Sequence, residues 1–126
     1  MNKLNGIHLA HNKGTKKCET IDFPLPKSVI IPMSQHMGAP CDSLVKKGDE
    51  VTVGQKIGDS GAFMSAPIHS SVSGKVTDVT DYLLPNGSVC KAVVIETDGN
   101  QTVCPDLRPP IINDRQSLIA AVRDCG

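Results

Sequence analysis

Apolar residues between Val45 and Val76 come in short groups: Val51, Val53 and Ile57, then Ala62, Phe63 and Met64, then Val72 and Val76. Glycines at 48, 54, 58, 61 and 74 separate them. Four to six residues between breaks is the length of a strand and too short for a helix. Gly48-Asp49 and Gly58-Asp59-Ser60-Gly61 are suited to tight turns, where positive φ angles are needed. The stretch therefore predicts short antiparallel strands joined by turns. The same pattern runs outward on both sides. Ser28 to Met33 (S-V-I-I-P-M) predicts a strand, with Pro32 placing it at a sheet edge or at its own end. Lys75 to Tyr82 predicts another, and Val89 to Thr97 is the most strongly β-patterned run in the chain. Pro85 to Ser88 and Asp98 to Asn100 have turn composition.

The flanks differ. Met1 to Lys17 is polar, holds four lysines and two histidines, and has no period, which predicts an extended lead-in. Ser34 to Leu44 predicts a turn-rich connection. Val103 to Ile112 carries Pro105, Pro109 and Pro110 and predicts a linker on the surface. The period then changes to helical. Asn113 is a candidate N-cap with Gln116 closing a capping box, Leu118, Ile119 and Val122 form an apolar stripe, and Gly126 stands where a C-terminal cap would. That predicts a helix of roughly 10 to 12 residues whose stripe needs a partner surface. The expected division is a lead-in over 1–27, a β-domain over 28–102, and a linker and helix over 103–126 leading toward a downstream domain.

Composition narrows the function. The 126 residues fit one domain, with a core of Val, Ile, Leu, Ala and Met, because Phe23, Phe63 and Tyr82 are the only aromatics. Thirteen basic and thirteen acidic residues cancel. The chain thus lacks both the phosphate-neutralising charge and the stacking surfaces of a nucleic-acid binder. Five cysteines at 18, 41, 90, 104 and 125 form no C-x-x-C, which argues against a disulfide framework or a local zinc or cluster site. No apolar run approaches the ~20 residues of a membrane span, so any work at a membrane is expected through docking to another component.

Several residues invite chemical readings. His8 and His11 lack a completing carboxylate or cysteine and read as solvent-exposed. Cys41 beside Asp42 reads as a small buried or half-buried thiol, since the carboxylate disfavours a thiolate. His69-Ser70-Ser71 suggests a base and nucleophile, but neighbours on a strand face opposite ways, so a turn with satisfied hydroxyls is the expectation. His36 and His69 could share a polar cluster. The glycines of 48–61 do not spell a phosphate-binding loop. No catalytic, cofactor-binding or metal-binding residue is assigned. An internal echo is also visible: Gly38 to Val45 overlays Ser65 to Val72 at an offset of 27, with Ala, Pro, Ser and Val coinciding. It predicts two similar β-units, each starting at an Ala-Pro corner, closing a flattened barrel or sandwich.

The G-D-x-V-x-x-G-Q-x-I pattern at Gly48 to Ile57, followed by Ala66-Pro67 and Gly74-x-Val76, resembles the biotinyl/lipoyl carrier fold, a barrel-sandwich hybrid. Carriers present one lysine at the tip of the central hairpin. Here Ile57 to Gly74 contains none; Lys56 and Lys75 lie on either side. Taken with I-P-M-S-Q-H-M-G-A-P (31–40), F-M-S-A-P-I-H-S-S-V-S-G-K-V (63–76) and the early N-G-I-H (5–8), the chain is similar to the N-terminal domain of the RnfC family, subunits of the Rnf electron-transport complex. The resemblance implies a non-catalytic domain of a subunit that moves electrons between ferredoxin and NAD, coupled to ion translocation. It implies that FMN, NADH and two 4Fe-4S clusters are bound outside residues 1–126, and that the partners are downstream domains of the same chain and other subunits of the complex. It also implies a cytoplasmic location, peripheral to the plasma membrane. An RnfC-like protein serving a cobalamin or proline reductase, a covalent carrier, and a free-standing lipoyl-like binding domain are the alternatives.

Overall fold

The structure is a computed structural model that describes residues 10–126. Among these described residues seven strands and one helix follow in chain order: β1 (Ser28–Pro32), β2 (Asp42–Ser43), β3 (Glu50–Val51), β4 (Lys56–Asp59), β5 (Ile68–His69), β6 (Gly74–Leu83), β7 (Val89–Thr97) and α1 (Arg115–Asp124). Strands β1, β7, β6 and β3 form one antiparallel sheet in that order, and β2, β4 and β5 form a second. Between the sheets lies a core in which Met33, Ile57, Val76, Val93 and Ile95 are completely shielded from solvent, joined by Ile31, Cys41, Val51, Ile68 and Val72. This is the aromatic-free aliphatic core the composition predicts.

The strand runs at 28–33, 75–82 and 89–97 are all found, and β7 has the predicted bounds. Strand β1 is an edge strand, as Pro32 requires, and Met33 continues its pairing by donating its N–H to the Lys91 carbonyl at 2.7 Å. The β6–β7 turn is closed by Asn86, whose Oδ1 accepts from the Ser88 N–H (3.0 Å) and hydroxyl (2.8 Å), with Gly87 at a φ of 84°.

The sequence echo has a physical counterpart. Strands β2 and β5 flank β4 on opposite sides. Each leads into a turn with the same serine device. Ser43 Oγ donates to the Val45 carbonyl at 2.7 Å and accepts the Val45 N–H at 3.4 Å. Ser70 does the same to Val72, at 2.7 and 3.4 Å. Both serines satisfy backbone groups where the chain leaves the sheet.

Two expectations need correction. Ala62, Phe63 and Met64 are not a strand; they form bends at the end of the β4–β5 connection, and Phe63 is 99% exposed. An apolar triplet spells a strand only when two neighbours can pair with it, and here the four residues of β4 and two of β5 stop short of it. The cap of α1 lies one residue later than predicted. Asp114 accepts the Ser117 N–H at 2.7 Å, and Ser117 Oγ accepts the Asp114 N–H at 2.9 Å, so the box is Asp114/Ser117 rather than Asn113/Gln116. The apolar stripe of α1 has no partner surface among the described residues. Leu118, Ile119 and Val122 remain 45–65% exposed, while Ala121 is buried. Its small side chain allows the helix backbone to approach, and polar contacts from Arg123 and Asp124 fix that face instead.

Val103 and Cys104 pair with Val53: the Val53 N–H donates to Thr102 O at 2.9 Å and the Cys104 N–H to Val53 O at 2.8 Å. The proline-bearing segment is thereby tied to the sheets at its start.

Candidate functional site

The β4–β5 connection, residues 60–67, is held by interactions from three directions. From below, the Ala39 N–H donates to the Met64 carbonyl at 2.9 Å. Gly38 permits this closeness, since a Cβ there would lie 2.1 Å from the Met64 oxygen and its φ is 122°. Beside it, His36 Nε2 stands 3.0 Å from both the Ala39 carbonyl and Ser65 Oγ, and the Ser65 hydroxyl donates to the same carbonyl at 3.1 Å. A carbonyl only accepts, so this contact calls for a proton on Nε2, and His36 is not arranged as a base toward Ser65. The Cys41 thiol, buried beneath, donates to the Ala66 carbonyl at 3.1 Å. Its burial agrees with the buried or half-buried cysteine the sequence suggests.

From the side, α1 reaches the connection through charge. Arg123 Nη2 donates to the Ser60 carbonyl at 2.8 Å and lies 3.8 Å from Asp59 Oδ1. Lys56 Nζ is 3.4 Å from Asp59 and 3.9 Å from Asp124. The Ser60 backbone N–H holds the Asp59 carboxyl below its ordinary value, helped by Lys56 and Arg123 and partly opposed by burial. These are partly exposed pairs, of the kind that fix orientation more than they stabilise.

The other sequence candidates are placed as follows. His8 lies outside the described residues, and His11 is exposed. The Ser70 hydroxyl is committed to Val72, and Ser71 is exposed. His36 and His69 both line a depression of about 280 Å³, together with Pro67, Cys125 and Gly126, while the polar partners of His36 are Ala39 and Ser65. Gly48 and Gly54 adopt the positive φ of turns, at 98° and 80°, whereas Gly58, inside β4, and Gly61 do not, contrary to the expectation for 58–61. Among the described residues no three His, Cys, Asp or Glu side chains gather as metal ligands. No helix among them is long and apolar enough to cross a membrane.

A polar knot that sequence reasoning missed joins the end of β7 to the start of β6. Ser73, nearly fully buried, donates its hydroxyl to Asp98 Oδ1 at 2.7 Å and accepts the Thr102 N–H at 2.9 Å, while the Ser73 N–H donates to Gln101 Oε1 at 3.2 Å. Only the turn composition at 98–100 hinted at it. The Ser73 hydroxyl, then the Asn100 N–H, hold the Asp98 carboxyl below its ordinary 3.8. The folded state thus binds this proton less readily than the unfolded chain. Its stabilisation is full above that value and is lost as pH falls through the lower, folded value. Asp98→Asn is expected to melt lower at neutral pH and to show a flatter acid limb. Thermal melts from neutral pH to about pH 2 check this, and a variant with the wild-type pH profile would contradict it.

Two facing sheets, a central hairpin and paired Ala-Pro corners define a barrel-sandwich hybrid. Its hairpin tip differs from that of a carrier, because no lysine stands there for an amide-linked arm. The profile of the RnfC barrel sandwich hybrid domain matches residues 2–100, and the chain belongs to that family. The chain is 45% identical over 109 residues to the C subunit of the Na(+)-translocating ferredoxin:NAD(+) oxidoreductase complex of Acetobacterium woodii, covering 82% of this chain and 24% of the relative. It is 47% identical over 95 residues to the C subunit of the proton-translocating ferredoxin:NAD(+) oxidoreductase complex of Clostridium ljungdahlii, covering 75% and 21%. The C subunit of the ion-translocating oxidoreductase complex of Methanosarcina acetivorans is 38% identical over 105 residues, covering 81% and 23%. The chain thus spans about a quarter or less of the length of these relatives.

Proposed function

We propose that this chain is the N-terminal, non-catalytic domain of a subunit that transfers electrons between ferredoxin and NAD within an ion-translocating membrane complex. The observation that carries the reading is the family match over residues 2–100, together with relatives named as the C subunits of such complexes. The β-domain would be residues 28–102. The segment 103–126 would lead into downstream domains that hold FMN, NADH and two 4Fe-4S clusters. The subunit would sit on the cytoplasmic face of the membrane through its neighbours.

The test is affinity capture of the chromosomally tagged protein from its own cells. The expected result is recovery from the membrane fraction in an assembly that reduces NAD with reduced ferredoxin. Recovery free of membranes and without that activity would contradict the proposal. Residues 1–126 alone are expected to be colourless and without NADH oxidation; a flavin or cluster absorption band surviving gel filtration would contradict the non-catalytic role.

A further inference from the structure

The outward face of α1 and the β4–β5 tip enclose an open groove of about 750 Å³, lined by Phe63, Ala66, Ile119, Val122, Arg123 and Gly126. Its apolar walls are uncovered among the described residues: Phe63 is 99% exposed, Val122 65% and Ile119 58%. Two features distinguish it from scattered surface hydrophobics. First, the tip is preorganised, because the Ala39–Met64 hydrogen bond and the His36–Ser65 contact fix the residues that follow Phe63. The backbone beside Phe63 is thus ordered before binding, which lowers the loop-ordering cost of a contact there. Second, α1 is tied to the domain through Ala121, Arg123 and Asp124, so Ile119 and Val122 of its stripe are turned toward the groove rather than toward the core.

We infer that this groove docks the part of the polypeptide that follows Gly126 in a chain as long as those relatives, with Phe63 as the central anchor. The inference rests on the length element of the proposed function: matched relatives are about four times longer than the region they share with this chain. Gly126 itself lines the groove, so a chain continuing from it emerges at the site. Such a segment is present at the high effective concentration of a short tether, and a modest apolar contact then suffices for stable docking. The aromatic side chain at the tip would insert between the Ile119–Val122 wall and the incoming segment. In this way the hairpin position that carries a mobile arm in lipoyl-type domains becomes a fixed contact point.

The experiment places photoreactive benzoylphenylalanine at position 63 of the protein at the full length its gene encodes, irradiates it, and maps the cross-linked peptide by mass spectrometry. The same probe at Asn86, in the β6–β7 turn, is the background control. The expected product joins position 63 to residues beyond 126 of the same polypeptide. Ile119→Ser with Val122→Ser is expected to lower its yield about tenfold or more. In residues 1–126 alone, where both side chains are exposed, that variant is expected to melt like the wild type. A cross-link to another polypeptide, to a second copy or to residues 1–9 would overturn the inference. A yield no greater than at Asn86, or a gene ending at codon 126, would overturn it equally. Failure of the electron-transfer reading would appear in the ferredoxin-dependent NAD assay and leave the cross-link in place.

Discussion

Gly74→Ala is expected to destabilise the fold by about 3 kcal/mol or more, a large part of the ~5–15 kcal/mol of an ordinary domain. Gly74 is the first residue of β6, buried, and paired with Val51 on one side and Thr97 on the other. A Cβ built there would lie 2.0 Å from the Glu96 carbonyl oxygen and 2.9 Å from the Thr97 Cα. Both obstacles are backbone atoms of β7, and β3 on the other side blocks retreat. The φ of 156° adds strain for any L-residue with a side chain. Gly61→Ala is the matched control, since nothing lies within 4 Å of its Cβ position. Urea unfolding of the pair checks the prediction: equal midpoints would show that the β7 backbone yields after all.

The second large effect is expected at Ile95. It lies near the end of β7, opposite Val29 of β1 and Val76 of β6, with no exposed surface. Ile95→Ala is expected to cost about 2–5 kcal/mol and Ile95→Val about 1 kcal/mol, in proportion to the space left empty. The surrounding residues are Val, Ile and other small side chains fixed by strand pairing, and no large ring is present to swing into the void. Met33 is the most adaptable side chain in this core and the one most able to soften the loss. Denaturant titration of both variants gives the comparison; a loss below about 1 kcal/mol for alanine would mean that the two sheets close over the gap.

These positions also show what the sequence can and cannot convey. Strand β7 is readable because it combines β-branched density with turn residues at both ends, so local preference and tertiary pairing agree. The Ala-Pro-x-x-Ser-x-Val echo is readable because both copies perform the same backbone task, at Ser43 and at Ser70. Phe63 misleads because apolar character is normally a sign of burial, and only the lengths of β4 and β5 reveal that the tip lies beyond the sheet. The outward face of α1 is hidden for a related reason. Three larger apolar residues mark one face, whereas close approach is decided by Ala121 on another. The Ser73–Asp98 knot joins residues 25 apart through a buried hydroxyl, and no local pattern announces such a bond. The absence of a lysine at the tip, in contrast, is legible directly, because it depends on composition alone.

The sheet edges bear on how such a protein behaves at high concentration. Strand β6 runs for ten residues, yet β3 covers only Gly74 and Lys75 on its outer side. The remaining backbone from Thr77 to Leu83 would be a template for a foreign strand were it flat and apolar. Instead the register shifts between Val76 and Asp78, and Asp78 and Asp81 add charge along the open length. At the opposite edge, β1 ends in Pro32, which has no N–H to offer an incoming strand. Both margins of the larger sheet therefore discourage self-association by strand addition, even in a domain that displays a bare phenylalanine.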